Sequence, residues 1–198
     1  MADIVGALTA AMSRPGDPSS DFDLNPNVVL PERRRLRPAG VLMAVSLAGE
    51  EPRLILTKRS SGLKHHPGQI AFPGGKQEES DADVTAAALR EANEEIGLPS
   101  DLPRVLGQMP SHETVTGFVV TPVLAVIDRD FEIVPEPGEV EEVFMVPLAH
   151  VLDPANYITE SRRWRGNRRH YYVVPWGPYY IWGATARMLR ALAARMEA

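Results

Sequence analysis

Hydrophobic and polar positions fall into two textures. From Gly40 onward, short apolar runs recur between turn signals. Val41 to Leu47 is a strand candidate, a turn follows at Gly49-Glu50-Glu51-Pro52, and Arg53 to Lys58 alternates polar with apolar residues as a second strand. Ile70-Ala71-Phe72 is a short apolar run ending at Pro73-Gly74-Gly75. Residues 82 to 96 predict a helix: Val84, Ala88 and Ala92 form an apolar stripe, Ser80 or Asp81 stands where a cap is wanted, and Gly97 follows the end. Phe118 to Ile127 is a long strand candidate in which Pro122 predicts an edge position or a bulge. Val143 to Val146 and His170 to Val174 are further strands, and Thr185 to Met196 is a closing helix. Strands and helices mix without a βαβ rhythm, which predicts an α/β sandwich around a mixed sheet. Before Gly40, residues 3 to 12 predict a short helix. Residues 13 to 38, with five prolines and the basic run Arg33, Arg34, Arg35 and Arg37, predict an extended arm with a solvated basic face. The expected division is a helix and arm over 1–37 and the main domain over 38–198.

Composition narrows the classes. The chain has 198 residues, 44% of them hydrophobic, enough for one domain with a sizeable core. A net charge of -5 argues against a nucleic-acid partner. The lack of cysteine excludes disulfides, zinc-thiolate sites and a cysteine nucleophile. No apolar run is long enough to span a bilayer, and the start lacks the basic residues of a secretory signal. A cytoplasmic protein without a membrane partner is expected.

The helix carries more than structure requires. Glu91, Glu94 and Glu95 stand at i, i+3 and i+4 in its last turns, where like charges repel and the helix dipole disfavours anions by about 0.3–1 kcal/mol each. Arg90 can pair with Glu94, and a solvated acidic face would then suffice. The Gly-Gly turn feeding this helix changes the reading, because its backbone can approach a phosphate closely. Carboxylates without His or Cys suit Mg²⁺ or Mn²⁺.

The stretch from Gly74 to Leu98 resembles the Nudix box. Arg90-Glu91, Glu94-Glu95, Gly97 and Leu98 match its second half, and Ala92 fills an aliphatic slot. The first half departs: the acidic position counted from Gly75 falls on Asp81 rather than Glu, with one extra residue before Arg90. Upstream, Leu56 to Gly75 is similar to the signature of coenzyme A pyrophosphatases. Leu56, Thr57, Arg59, Ser60, Gly68 and Phe72 to Gly75 fit, and Lys64 replaces a more usual Arg. The resemblance covers roughly residues 38 to 195.

That resemblance implies a Nudix-type α/β/α sandwich and metal-dependent hydrolysis of a diphosphate, with coenzyme A or a derivative cut to 3′,5′-ADP and 4′-phosphopantetheine. It implies Glu91, Glu94 and Glu95 as metal ligands, Arg90 as their organiser, and Gly74 and Gly75 shaping the metal–phosphate site. It also implies a general base that is either a box glutamate or a later loop acid, among Glu139, Glu141 and Glu142, with Glu142 as the catalytic candidate. Arg59, Lys64 and His65 are the substrate-binding candidates. Tyr171, Tyr172, Trp176, Tyr179, Tyr180 and Trp182 offer stacking surfaces or core. The alternatives are another Nudix substrate such as ADP-ribose or NADH, a Nudix-fold binding module without turnover, and a thioesterase, for which no Ser-His-Asp context is apparent. A homodimer is left open.

Overall fold

The computed structural model describes residues 2–28, 34–164 and 166–197. Helix α1 (Ala2–Ser13) leads into β1 (Ser19–Ser20), β2 (Arg37–Ser46), β3 (Arg53–Arg59), β4 (Ile70–Ala71), β5 (Gly74–Lys76) and helix α2 (Val84–Ile96). There follow β6 (Arg104–Gln108), β7 (His112–Glu113), β8 (Phe118–Ile127), β9 (Val140–Pro147), helix α3 (Leu148–Leu152), β10 (Ile158–Trp164), β11 (Asn167–Val173) and helix α4 (Gly183–Glu197). Every element expected from the sequence is present. The unforeseen ones are β1, β5, β6, β7, β10 and α3, all short or rich in polar residues; Gly74 and Gly75, expected in a turn, run as β5 along β2 because bare glycine lets the chain pack against Gly40 and Val41.

The centre of the sheet is a parallel pair, β2 with β8, in register from Arg37↔Phe118 to Ser46↔Ile127. One end of β2 pairs antiparallel with β3 and the other with β5, while β3 also carries β9 and β4. On its far side β8 pairs with β6 and β7. Strand β8 is therefore central rather than the edge that Pro122 predicted. The Pro122 carbonyl accepts from Met109 N at 2.8 Å, so its donor-less nitrogen faces the gap where β6 ends and β7 has not begun.

Alternation along β2 sends Leu42 and Ala44 to one face, where they pack with Ala88, Ala92 and Ile96 of α2. Met43 and Val45 face the other way, into a core with Leu8 of α1, Val151 of α3, and Leu189 and Leu192 of α4. This is an α/β/α sandwich on a mixed sheet, and the amino-terminal helix belongs to its larger core. Of the basic run, Arg34 pairs with Glu113 and Arg37 lies 4.0 Å over the Phe118 ring, while Arg33 lies outside the described residues. The ribbon β10–β11 forms a separate two-stranded sheet.

Candidate active site

Helix α2 starts two residues later than its sequence implies. Its cap is Asp83, whose side chain accepts from Ala86 N at 2.8 Å, not Ser80 or Asp81. Asp81 is engaged elsewhere, since Arg90 Nε and Nη2 each donate to it at 2.9 Å. That hydrogen-bonded contact holds the Asp81 carboxyl below its usual range. Arg90 also reaches Glu91 at 3.1 Å and Glu94 at 2.8 Å. One guanidinium thus ties the loop before the helix to two of its glutamates. Gly97, at φ 72°, closes the helix as expected.

The Gly-Gly turn lies directly beside these carboxylates. Gly74, at φ 151°, runs against the backbone of Gly40 and Val41, and its N–H donates to Glu95 Oε2 at 3.1 Å. A Cβ on Gly75 would stand 2.5 Å from the Glu91 carboxyl carbon, so only glycine lets that carboxylate rest against the turn. Glu95 is 4% exposed, and burial pushes its carboxyl up to about 7 despite the Gly74 bond and Arg59 at 3.9 Å. Glu91 is raised too, first by burial. Glu94 is 57% exposed at its side chain.

Among the described residues no three His, Cys, Asp or Glu side chains stand gathered as a cation cage. The three glutamates share a helix face, but Arg90 occupies two of them and Glu95 turns inward to Gly74. Their chemistry nonetheless fits a hard divalent cation. All donors are carboxylate oxygens, and a buried charge at Glu95 faces repulsion from Glu91 and Glu139.

The later-loop acids separate. Lys58 donates to Glu141 at 2.6 Å, and Tyr179 donates to Glu142 at 2.5 Å. Of the three, only Glu139 bears electrostatically on both Glu91 and Glu95. Glu142 walls the second cavity, whereas Glu139 lines neither and acts on the glutamates through its charge.

One cavity opens beside the glycines and a second adjoins it. The first, of about 520 Å³, runs from Gly74 and Phe72 to Tyr171, Trp182, Arg162 and Arg169. The other, of about 570 Å³, adds Lys58, Glu142, Tyr179 and Tyr180. His66, Gln69, Ile70, Arg162 and Trp182 wall both. His66, rather than its neighbour His65, reaches them; Lys64 and His65 are exposed and line neither. Tyr172 and Trp176 pack against the core.

Asp21 and Asn25, from the expected arm, also line the first cavity. Asn25 bridges to β11, donating to the His170 carbonyl at 2.9 Å and accepting from His170 N at 2.8 Å. A Ser-His-Asp set that no sequence spacing announced lies here: Ser19 Oγ is 2.9 Å from His112 Nδ1, and His112 Nε2 is 3.1 Å from Asp21. Ser19 and His112 are buried, and neither lines these two cavities, so the set pins β1 to β7 and presents them with no nucleophile. No helix among the described residues is long and apolar enough to cross a membrane.

Comparison with known proteins agrees with this geometry. Residues 36–173 match the NUDIX domain family. The Nudix hydrolase NudL of Cronobacter sakazakii, described as uncharacterized, is 41% identical over 160 residues, covering 81% of this chain and 83% of that one. The protein of the same description from Klebsiella pneumoniae is 40% identical over 170 residues, covering 85% and 88%. In three dimensions the chain is similar to a MutT/nudix family protein from Enterococcus faecalis, with a TM-score of 0.54, 17% identity, and coverage of 84% of this chain and 64% of that one. With its glutamate helix set against a Gly-Gly turn, this chain belongs to the Nudix family and is a diphosphate hydrolase of that family.

Proposed function

We propose that the protein hydrolyses the diphosphate of coenzyme A or a derivative, with Mg²⁺ or Mn²⁺, to 3′,5′-ADP and 4′-phosphopantetheine. The observation carrying this reading is where the upstream segment lies. The stretch similar to the coenzyme A pyrophosphatase signature contributes Gly68, Phe72 and Gly74 to the cavity walls, and Gly74 also touches Glu95. The segment that bears the substrate resemblance is thus continuous with the acidic helix. Nudix hydrolases generally need divalent metal ions. When bound, such an ion would neutralise diphosphate charge and lower the pKa of attacking water.

The chain's own residues divide the remaining work. Glu91 and Glu95 would hold the cation, with Glu94 joining as Arg90 releases it. Arg90 and Asp81 fix the turn against the helix. Gly74 and Gly75 leave room for a phosphate against bare backbone. Glu139, whose charge acts on Glu91 and Glu95, would take a proton from water approaching the cluster. Arg59 limits the repulsion on Glu95 and would lend its charge to the anionic substrate.

The test is product analysis of coenzyme A incubated with the protein and Mg²⁺ or Mn²⁺. Release of 3′,5′-ADP, abolished by EDTA, is expected. Turnover of ADP-ribose or NADH with none of coenzyme A would replace the substrate assignment. Intact coenzyme A released from an acyl derivative would mean a thioesterase instead.

A further inference from the structure

The ribbon β10–β11 has no role in the chemistry above. Its register sets Arg162 directly opposite Arg169, and Arg163 opposite Arg168. Like charges in facing cross-strand positions destabilise a ribbon, and among the described residues no third strand shares its ladder. In a chain of net charge -5, two such pairs gather positive charge on one ribbon.

Strand alternation sends the pairs to opposite faces. Arg162 and Arg169 share a face with Glu160 and Tyr171. Arg162 lines both cavities and Arg169 the first, whereas Arg163 and Arg168 line neither. The Arg162 guanidinium lies 5.9 Å from the Trp182 ring centroid, and that of Arg169 5.9 Å from the Phe22 centroid. Tyr180 donates to Glu160 at 2.6 Å, and Asp21 accepts from Val115 N at 2.9 Å and lies 3.1 Å from His112 Nε2.

We propose that Arg162 and Arg169 form a subsite for a second phosphate of the substrate, a monoester remote from the diphosphate at Gly74 and Gly75. The inference rests on the substrate class proposed above, in which this group is the 3′-phosphate. It assigns selectivity for that phosphate to the ribbon. A guanidinium fork matches the oxygens of a monoester, and the neighbouring Trp182 and Tyr171 rings offer faces to the base that carries it. The first cavity is continuous from Gly74 to both arginines, so one nucleotide can engage the turn and the ribbon together.

Calorimetric binding of adenosine 3′,5′-bisphosphate and of 5′-AMP to the full chain tests this. The wild type is expected to bind the bisphosphate roughly ten- to a hundredfold more tightly. Arg162→Gln with Arg169→Gln should erase that preference and leave AMP binding within about twofold. Arg163→Gln with Arg168→Gln removes the same charge from the outer face and should keep the preference. If the inner double variant unfolds by circular dichroism, the single Arg162→Gln on its exposed side chain makes the same comparison. No preference in the wild type, equal losses for both ligands, or equal effects of the inner and outer pairs would each overturn the subsite. A wild type that prefers the bisphosphate yet leaves coenzyme A intact would sink the proposed substrate and keep the subsite.

Discussion

Glu95 sits at 4% exposure with a carboxyl raised to about 7, against an ordinary value of 4.5. Between those values the folded chain retains a proton that the unfolded chain has lost. Metal-free stability from this group is therefore fully present below about pH 4.5 and falls as pH rises toward about 7. Urea midpoints of EDTA-treated protein at pH 5 and 7.5 should show the fall, and Glu95→Gln should remove this contribution; an identical pH dependence in the variant would disprove it. The same variant should lose at least about a hundredfold in rate, because a charge interaction borne by the metal is worth several kcal/mol. Among the loop acids, Glu139→Gln should lower kcat by about a hundredfold or more as the general base. Glu142→Gln should stay within several-fold, because the Glu142 carboxylate is already engaged by Tyr179. The reverse order in kcat would return the role to Glu142. Sequence spacing identified the three helix glutamates, since i, i+3 and i+4 determine a shared face. It could not rank Glu139, Glu141 and Glu142, whose orientation depends on how β9 pairs with β3 across the sheet.

At the scale of elements, α2 shows how similar residues take different duties. Asp81 and Asp83 both suit a helix start, and only the tertiary position of Arg90 selects between them. Asp83→Ala should cost about 0.5–2 kcal/mol of stability in a denaturant titration while leaving kcat per folded molecule unchanged. Asp81→Ala should lower kcat at smaller cost in stability, because it frees Arg90 from the turn. If instead Asp83→Ala lowers kcat at full folding, the cap serves the chemistry. Strand β8 teaches a similar lesson. Pro122 reads as an edge signal, yet the interruption between β6 and β7 gives a central strand the one place where a missing donor costs little.

For the molecule as a whole, the amino-terminal segment is a working part of the fold. Leu8 is fully buried in the larger core, and Asp21 and Asn25 wall the first cavity. Leu8→Ala should cost about 2–5 kcal/mol in thermal or urea unfolding; a change below about 0.5 kcal/mol would mean that α1 is a dispensable appendage. The sequence alone determined the α/β class, the main strands, the helix with its acidic face, and the paired glycines that approach it. Each of these depends on local periodicity, capping and backbone permissiveness, all of which act within a few residues. Tertiary structure decided the rest: which acid approaches the glutamates, that His66 rather than His65 faces the cavities, that Ser19, His112 and Asp21 meet, and that two arginine pairs oppose each other across a ribbon. Ser19 and His112, for example, stand 93 positions apart along the chain. Such juxtapositions come from strand register and layer packing, which buried apolar area fixes cooperatively and which no short window of sequence records.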